Sequence, residues 1–464
     1  MTDDSAFREE RDSLGTLTVP KDAWYGVQTA RAVANFPISG RRPDADFIIA
    51  TVRIKLAAAI ANHAGGWLGE VPFTAIRAAC ERILAGEHMD QFVVDRFQAG
   101  AGTSHNMNAN EVIANLANVS LGGSRGHYDP VNPNDHVNMG QSTNDVIPTA
   151  IRLTLLAKLP RLLASVAGMA KAFSDLAEQE KDTVKSGRTH LQDAVPTTLG
   201  AEFGAYAWTL RRVAGMLAAQ KPYLCQTGLG GSAVGTGLNT APGYRQRAAK
   251  ALAELTVEPI EPAGNIIAQM QSMSDIAAFS GMLRTLTIEI TRISNDMRLL
   301  ASGPRTGLAE ITLPTVQPGS SIMPGKVNPV MFEMLNQVAY QVLGQDHAAT
   351  QMAGAGQMEL NVMMPAMGSA LFDAMDWLGN AIEAATQKGL IGLSVDRERC
   401  RAYAHDSVGL ATLLNRAIGY TQAAEIAKTS QQTGQPVRAI VVEKGLMRAQ
   451  DFDRMVLEAA ESVS

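Results

Sequence analysis

Aromatic residues make up only 5% of the 464 residues, and cysteines number three. A chain this poor in Phe, Trp and Tyr, and rich instead in Ala, Leu, Met and Gln, favours helix over strand. Cys80, Cys225 and Cys400 are scattered, odd in number and without CxxC spacing, which excludes a disulfide framework and a thiolate metal cage. A surplus of basic residues is also lacking. The formal net charge is -5, so the basic face that nucleic-acid binding requires is not expected. Residues 1–15 are polar and mixed in charge, which predicts no secretory signal, and no uninterrupted apolar stretch reads as a membrane span. The eight histidines form no HxxxH or HExxH pair, and neither a GxSxG elbow nor a dinucleotide fingerprint occurs. The expectation is therefore a cytoplasmic, multi-domain protein with no metal, no cofactor, no nucleic-acid partner and no membrane partner.

What the chain does contain is helical periodicity over long distances. Residues 46–64 carry apolar positions at helical spacing, and a longer periodic segment runs from Asp145 to about Gln179. Pro148 falls in the first turn of that segment, where proline is tolerated, whereas Pro160 predicts a kink or a stop. Further helices are predicted over Thr197–Gln220, Ile266–Ser302, Asn328–Gln351 and Met367–Lys388. Rods this long and this apolar around their circumference call for burial on several sides, within a bundle or between subunits. Strand signals are confined to the region around Leu14–Val19. Three domains are expected: a mixed N-terminal one over 1–140, a long-helix bundle over 141–391, and a small helical one over 392–464.

Four polar motifs interrupt the helices. Gly102-Thr103-Ser104-His105-Asn106 enters one helix and Gly140-Gln141-Ser142-Thr143-Asn144-Asp145 enters another. Each serves as an N-cap, with Asp145 favouring the helix dipole, and each also offers N–H groups and neutral side chains to a carboxylate. Gly187-Arg188-Thr189-His190 places a titratable ring beside a hydroxyl and a cation. Glu333, seven residues beyond Lys326 and so on a similar helix face, is a carboxylate candidate to pair with His190 and fix its tautomer. The fourth motif, Gly319-Ser320-Ser321-Ile322-Met323-Pro324-Gly325-Lys326-Val327-Asn328-Pro329, brackets two hydroxyls with glycines and follows them with a cation and an amide. Such a segment closes over a ligand and suits holding a carboxylate while a carbon-bound proton is removed. The glycine run Gly230–Gly237 lacks the Gly-Lys-Ser/Thr ending of a phosphate loop and reads as a tight turn or a close packing contact.

Taken in order, GTSHNMNANE, GQSTND, GRTHLQDAVP and GSSIMPGKVNP resemble the aspartase/fumarase superfamily, and the likeness extends from VPKDAWYGVQTARAVANFPI to the C-terminal region. That resemblance implies a mainly α, three-domain subunit. Its central five-helix bundle would join three others in a twenty-helix homotetramer core, with active sites shared by three subunits. It implies anti-elimination across a Cα–Cβ bond of a small dicarboxylic substrate. Thr143, the sequence before His105 and the unbroken GSSIMPGK run place the chain nearer the aspartase branch than class II fumarase, pointing to reversible loss of ammonia from L-aspartate.

By the same resemblance, Ser320 is the base that removes the Cβ proton, with His190 and Glu333 in support. Ser321, Thr103, Ser142 and Thr143 hold the β-carboxylate as it takes up charge in an aci-carboxylate. Thr189, Lys326 and Asn328 grip the α-carboxylate, while Asn144 and His190, with Thr103, face the departing amine.

Met364, His105 and the pair Asn415-Arg416 depart from the common pattern. The first two open the alternative of a substituted aspartate or a related amino diacid. Fumarate hydration and an inactive structural relative are the remaining alternatives. Replacing the loop cation, Lys326→Ala, should raise KM far more than it lowers kcat, and steady-state kinetics with an unchanged KM would remove Lys326 from the carboxylate grip.

Overall fold

The computed structural model describes residues 6–319 and 322–461. The chain divides into two compact units, the first built from 1–162, 216–284 and 341–377, the second from 163–215, 285–340 and 378–464. The architecture is mainly helical, with four two-stranded sheets among the described residues.

In the first unit the antiparallel hairpin Phe7–Asp12/Gly15–Pro20 precedes a helical body. Helices Ala45–Ala64, Glu70–Leu84 and Thr103–Ser120 pack through Val52, Ile76, Ile113 and their neighbours. Asp44 caps the first of these helices by accepting from the Asp46 and Phe47 N–H groups. Glu111, buried in the third, accepts from the Gly26, Gln28 and Thr29 N–H groups and from the Thr29 hydroxyl, which ties the entering chain to the core. Burial raises its pKa, and those four donors oppose the shift.

The long helix occupies Thr143–Gln179, 37 residues, and continues past Pro160. The predicted stop at Pro160 is thus corrected: the ring sits on an exposed face. The single helix expected over Ile266–Ser302 is two, Ile266–Gln271 and Ser274–Leu300, broken at the extended Ser272. Two helices, Ala45–Ala64 and Thr143–Gln179, are long and apolar enough to cross a membrane, contrary to the reading of the sequence, and both bury more than half of their apolar window within the chain.

The second unit holds the structure's other substantial hairpin, Val184–Thr189 paired with Gln192–Thr198. Strand signals are therefore not confined to the N-terminal region. Helices Tyr420–Thr433, Val437–Glu443 and Ala449–Glu461 enclose a separate apolar cluster around Leu410, Ile426, Val437 and Phe452.

Buried ion pairs lock the first unit. Arg152 is almost fully buried and donates twice to Asp275, at 2.7 and 2.9 Å, and once to the Pro148 carbonyl at 3.0 Å. Lys158 is ringed by Asp44, Asp46 and Asp376 at 2.7 to 3.1 Å. Removing one partner of a buried pair leaves the other charge uncompensated. Arg152→Ala should therefore cost about 3 kcal/mol of stability, and chemical denaturation showing a loss under about 1 kcal/mol would refute that account of the lock.

Candidate active site

Two polar segments of the first unit converge on one carboxylate. Asp145 is fully buried in the first turn of the Thr143–Gln179 helix. Its carboxylate accepts from the Ser142 N–H at 2.9 Å, the Gly230 N–H at 3.1 Å and the Ser232 N–H at 2.9 Å. The glycine run therefore wraps an internal anion, and its left-handed residues, Gly230 at φ 86° and Gly235 at φ 90°, make the required turns. Burial pushes the Asp145 carboxyl up to about 7, although all three N–H donors and the nearby Lys55 charge oppose it. Sequence reasoning treated Asp145 only as a dipole partner; the signal for its larger role was the glycine run itself.

Lys55 completes this buried layer. Its ammonium donates to Asn106 Oδ1 at 2.7 Å, Asn138 Oδ1 at 2.9 Å and Gln141 Oε1 at 3.0 Å. Burial lowers its pKa to about 7, with the Asp145 charge acting the other way. Asn106 in turn donates to the Thr143 hydroxyl at 3.2 Å, so the lysine reaches the polar turn through one intermediary.

On that foundation stand the predicted contacts. Ser142, Thr143 and Asn144 are partly exposed at the mouth of the long helix. The Asn144 amide donates to the Ala233 carbonyl at 2.9 Å. Thr103 is exposed at the start of the Thr103–Ser120 helix, after the left-handed pair Ala101 and Gly102. Gly102 packs so closely on Ile147 that a Cβ would stand 3.0 Å from it, and the Ala101 N–H donates to the Val362 carbonyl at 2.8 Å. Two helix N-termini thus meet beside neutral hydroxyls and an amide, an arrangement whose dipoles favour a carboxylate ligand.

Thr189 and His190 lie in the second unit, exposed at the tip of the Val184–Thr189/Gln192–Thr198 hairpin. His190 and Leu191 are its two turn residues, at φ 57° and 59°, as a twist-matched two-residue turn requires. Lys326 is exposed and Asn328 partly exposed in the loop that precedes the Val330–Gly354 helix. The base of this loop is pinched, because a Cβ on Gly319 would sit 1.2 Å from the Lys326 carbonyl oxygen. Glu333 occupies the first turn of that helix, whereas Lys326 precedes it, so the shared helix face expected for the two does not exist. Among the described residues no ion pair or hydrogen bond joins His190 to Glu333. Ser320 and Ser321 lie outside the described residues.

His105 is fully buried, stacked on Phe47 with ring centroids 4.5 Å apart, with Nε2 3.0 Å from the Thr51 hydroxyl. Met364 is likewise fully buried, at the start of the Met364–Ala385 helix.

A family pattern described as Lyase matches residues 15–344, and one described as Fumarase C C-terminus matches 410–457. The chain is 46% identical over 451 residues to an aspartate ammonia-lyase of Pseudomonas canavaninivorans, covering 96% of this chain and 95% of that one. It is 47% identical over 444 residues to an aspartate ammonia-lyase of Pseudomonas aeruginosa, covering 95% and 94%. A fumarate lyase:delta crystallin from Brucella melitensis, solved bound to cobalt, superposes with a TM-score of 0.95 at 44% identity, covering 98% of this chain and 99% of that one. A class II fumarase from Schistosoma mansoni gives the same TM-score at 34% identity, covering 99% and 100%.

Burial pushes the His105 ring down to about 3, with the Lys55 charge a smaller cause in the same direction, against an ordinary value of 6.5. Below pH 6.5 the unfolded chain takes up a proton that the native ring refuses, so stability contributed by the neutral ring is lost as pH falls towards 3. His105→Leu should be spared about 2 kcal/mol of the loss that wild type suffers between pH 6.5 and about pH 5. Taken as a difference between the two proteins, the opposing contribution of Asp145 cancels. Parallel denaturation curves at the two pH values would refute the buried, neutral assignment.

Proposed function

Because the chain belongs to the aspartase/fumarase superfamily of lyases, we propose that it is a cytoplasmic carbon–nitrogen lyase that reversibly eliminates ammonia from L-aspartate to give fumarate. The observation that carries this reading is the near full-length similarity to aspartate ammonia-lyases, at 46 and 47% identity, against 34% for the class II fumarase. The meeting of two helix N-termini beside Thr103, Ser142, Thr143 and Asn144 supports it independently, since that is the chemistry a dicarboxylate needs.

The proposal assigns Ser320 as the base at Cβ. The adjacent carboxylate becomes an aci-carboxylate dianion, held by Thr103, Ser142, Thr143 and Ser321. The β-proton is a very weak acid, so the site must bind that charge more tightly than it binds substrate. Thr189, Lys326 and Asn328 take the α-carboxylate, and Asn144 with His190 receives the amine. Serine is intrinsically a poor base, and closure of the glycine-bracketed loop over Ser320 would exclude water and favour its alkoxide.

The proposed site is composite. Thr189, His190 and Lys326 are exposed in the isolated chain, as groups completed by neighbouring subunits would be. The proposal accordingly includes a homotetramer with a twenty-helix core and sites shared by three subunits, and the three-part subunit over 1–140, 141–391 and 392–464. A His190–Glu333 pair belongs to that assembly, because the chain alone does not form it. L-Aspartate is preferred to a substituted analogue, since His105 and Met364, the departures that motivated the analogue, are both fully buried.

Ultraviolet absorbance of the fumarate double bond, followed from L-aspartate and from L-malate, tests the reading. A strong signal from aspartate and none from malate is expected, and the reverse would make the protein a fumarate hydratase. Ser320→Ala should abolish turnover while leaving the circular dichroism spectrum unchanged; full activity in that variant would sink the base assignment.

A further inference from the structure

The second unit contains a buried charge cluster that the proposed chemistry does not use. Lys185 and Arg188 both stand on the Val184–Thr189 strand of the hairpin, and Arg188 is the immediate neighbour of Thr189. Facing them is Glu310, fully buried, with Oε1 2.9 Å from Arg188 Nη1 and Oε2 3.2 Å from Lys185 Nζ. Lys185 also pairs with Glu202, so two cations meet two carboxylates. Neither oxygen of Glu310 makes an aligned hydrogen bond, and the carboxylate is held by charge.

The backbone at Glu310 is anchored on both sides. Its N–H donates to the Leu300 carbonyl at 3.0 Å and its carbonyl accepts from the Asp396 N–H at 3.0 Å. Immediately afterwards Ile311–Thr312 pairs with Ser394–Val395. Glu310 is therefore a fixed point, whereas the hairpin has an irregular register between Ser186 and Arg188. Behind the hairpin lies a cavity of about 300 Å³ lined by Gly187, Arg188, Leu191, Asp296 and Leu300 among others. The hairpin also packs on the Arg397–Asp406 helix, and its second strand is tied by the Ser407 hydroxyl, which donates to the Ala194 carbonyl; at the Arg188 end, beside the cavity, the ion cluster is the added constraint.

We infer that Glu310 is a positioning residue for the proposed elimination: by holding Arg188 and Lys185 it sets where the Thr189 hydroxyl and the His190 ring stand. The inference rests on the reading that Thr189 and His190 meet the substrate. Releasing the hairpin from Glu310 lets its tip wander, and the effect falls on substrate capture more than on the proton transfer at Ser320.

Glu310→Gln keeps the shape and removes the charge. It should raise KM for L-aspartate about tenfold with kcat within about twofold, and speed amide hydrogen exchange over residues 186–192. Arg152→Ala, which breaks a buried ion pair far from the hairpin in sequence, serves as the control: it lowers stability and leaves KM and that exchange unmoved. If Glu310→Gln does not fold, Arg188→Gln severs the same contact from the hairpin side and must show the same KM rise and faster exchange. A folded variant of either kind with wild-type KM and wild-type exchange overturns the inference. Should wild type make no fumarate from aspartate, the functional reading fails, and exchange over 186–192 still decides whether Glu310 holds the hairpin.

Discussion

The Asp145 carboxylate organises the first unit's functional face. Three backbone N–H groups from two segments remote in sequence point at it. With Lys55 and its three amide partners it forms a buried polar layer beneath the Ser142–Asn144 turn. Burial drives the two groups' pKa values towards each other, each against its own ordinary value. Removing either would strand donors or acceptors in an apolar interior, a cost that surface substitutions do not carry. The turn above this layer is therefore rigid before any ligand arrives, and preorganised dipoles gain most of their effect from such rigidity.

The second unit solves a different problem. Its candidate functional groups stand on a hairpin tip and on a glycine-bracketed loop. Charge adds to packing at the hairpin, through Glu310, and the loop is narrow at its base, where a Cβ on Gly319 would meet the Lys326 carbonyl.

Much of this was legible in the sequence. The long apolar helices, the second strand of the N-terminal hairpin and the four polar motifs could be read because each depends on local chemistry: periodicity, turn residues and caps. The failures have equally specific causes. Pro160 reads as a kink or a stop, and the stop fails because its exposed position in a long helix is set by packing that local rules do not see. His105 departs from the common pattern next to a polar turn, but one residue of displacement on a helix turns a side chain by about 100°, here into the core against Phe47. The Val184–Thr189 hairpin was missed because its turn is His190-Leu191 and not an Asn-Gly or Asp-Gly signal. Glu310 carries no local signature, since its importance arises only when two distant segments meet.

That hairpin turn has a consequence for how the protein would respond to selection for hardiness. Two residues with side chains, His190 and Leu191, are held in the left-handed region, each at an expense of roughly 1 kcal/mol that glycine would avoid. A search for thermostable variants should find Leu191→Gly early, because 70% of that side chain's surface is open to solvent and little packing would be lost. Glycine at 190 would relieve the same strain but remove the imidazole. The tip thus holds two equal reserves of stability, of which only one can be released without losing the ring that the elimination is proposed to use.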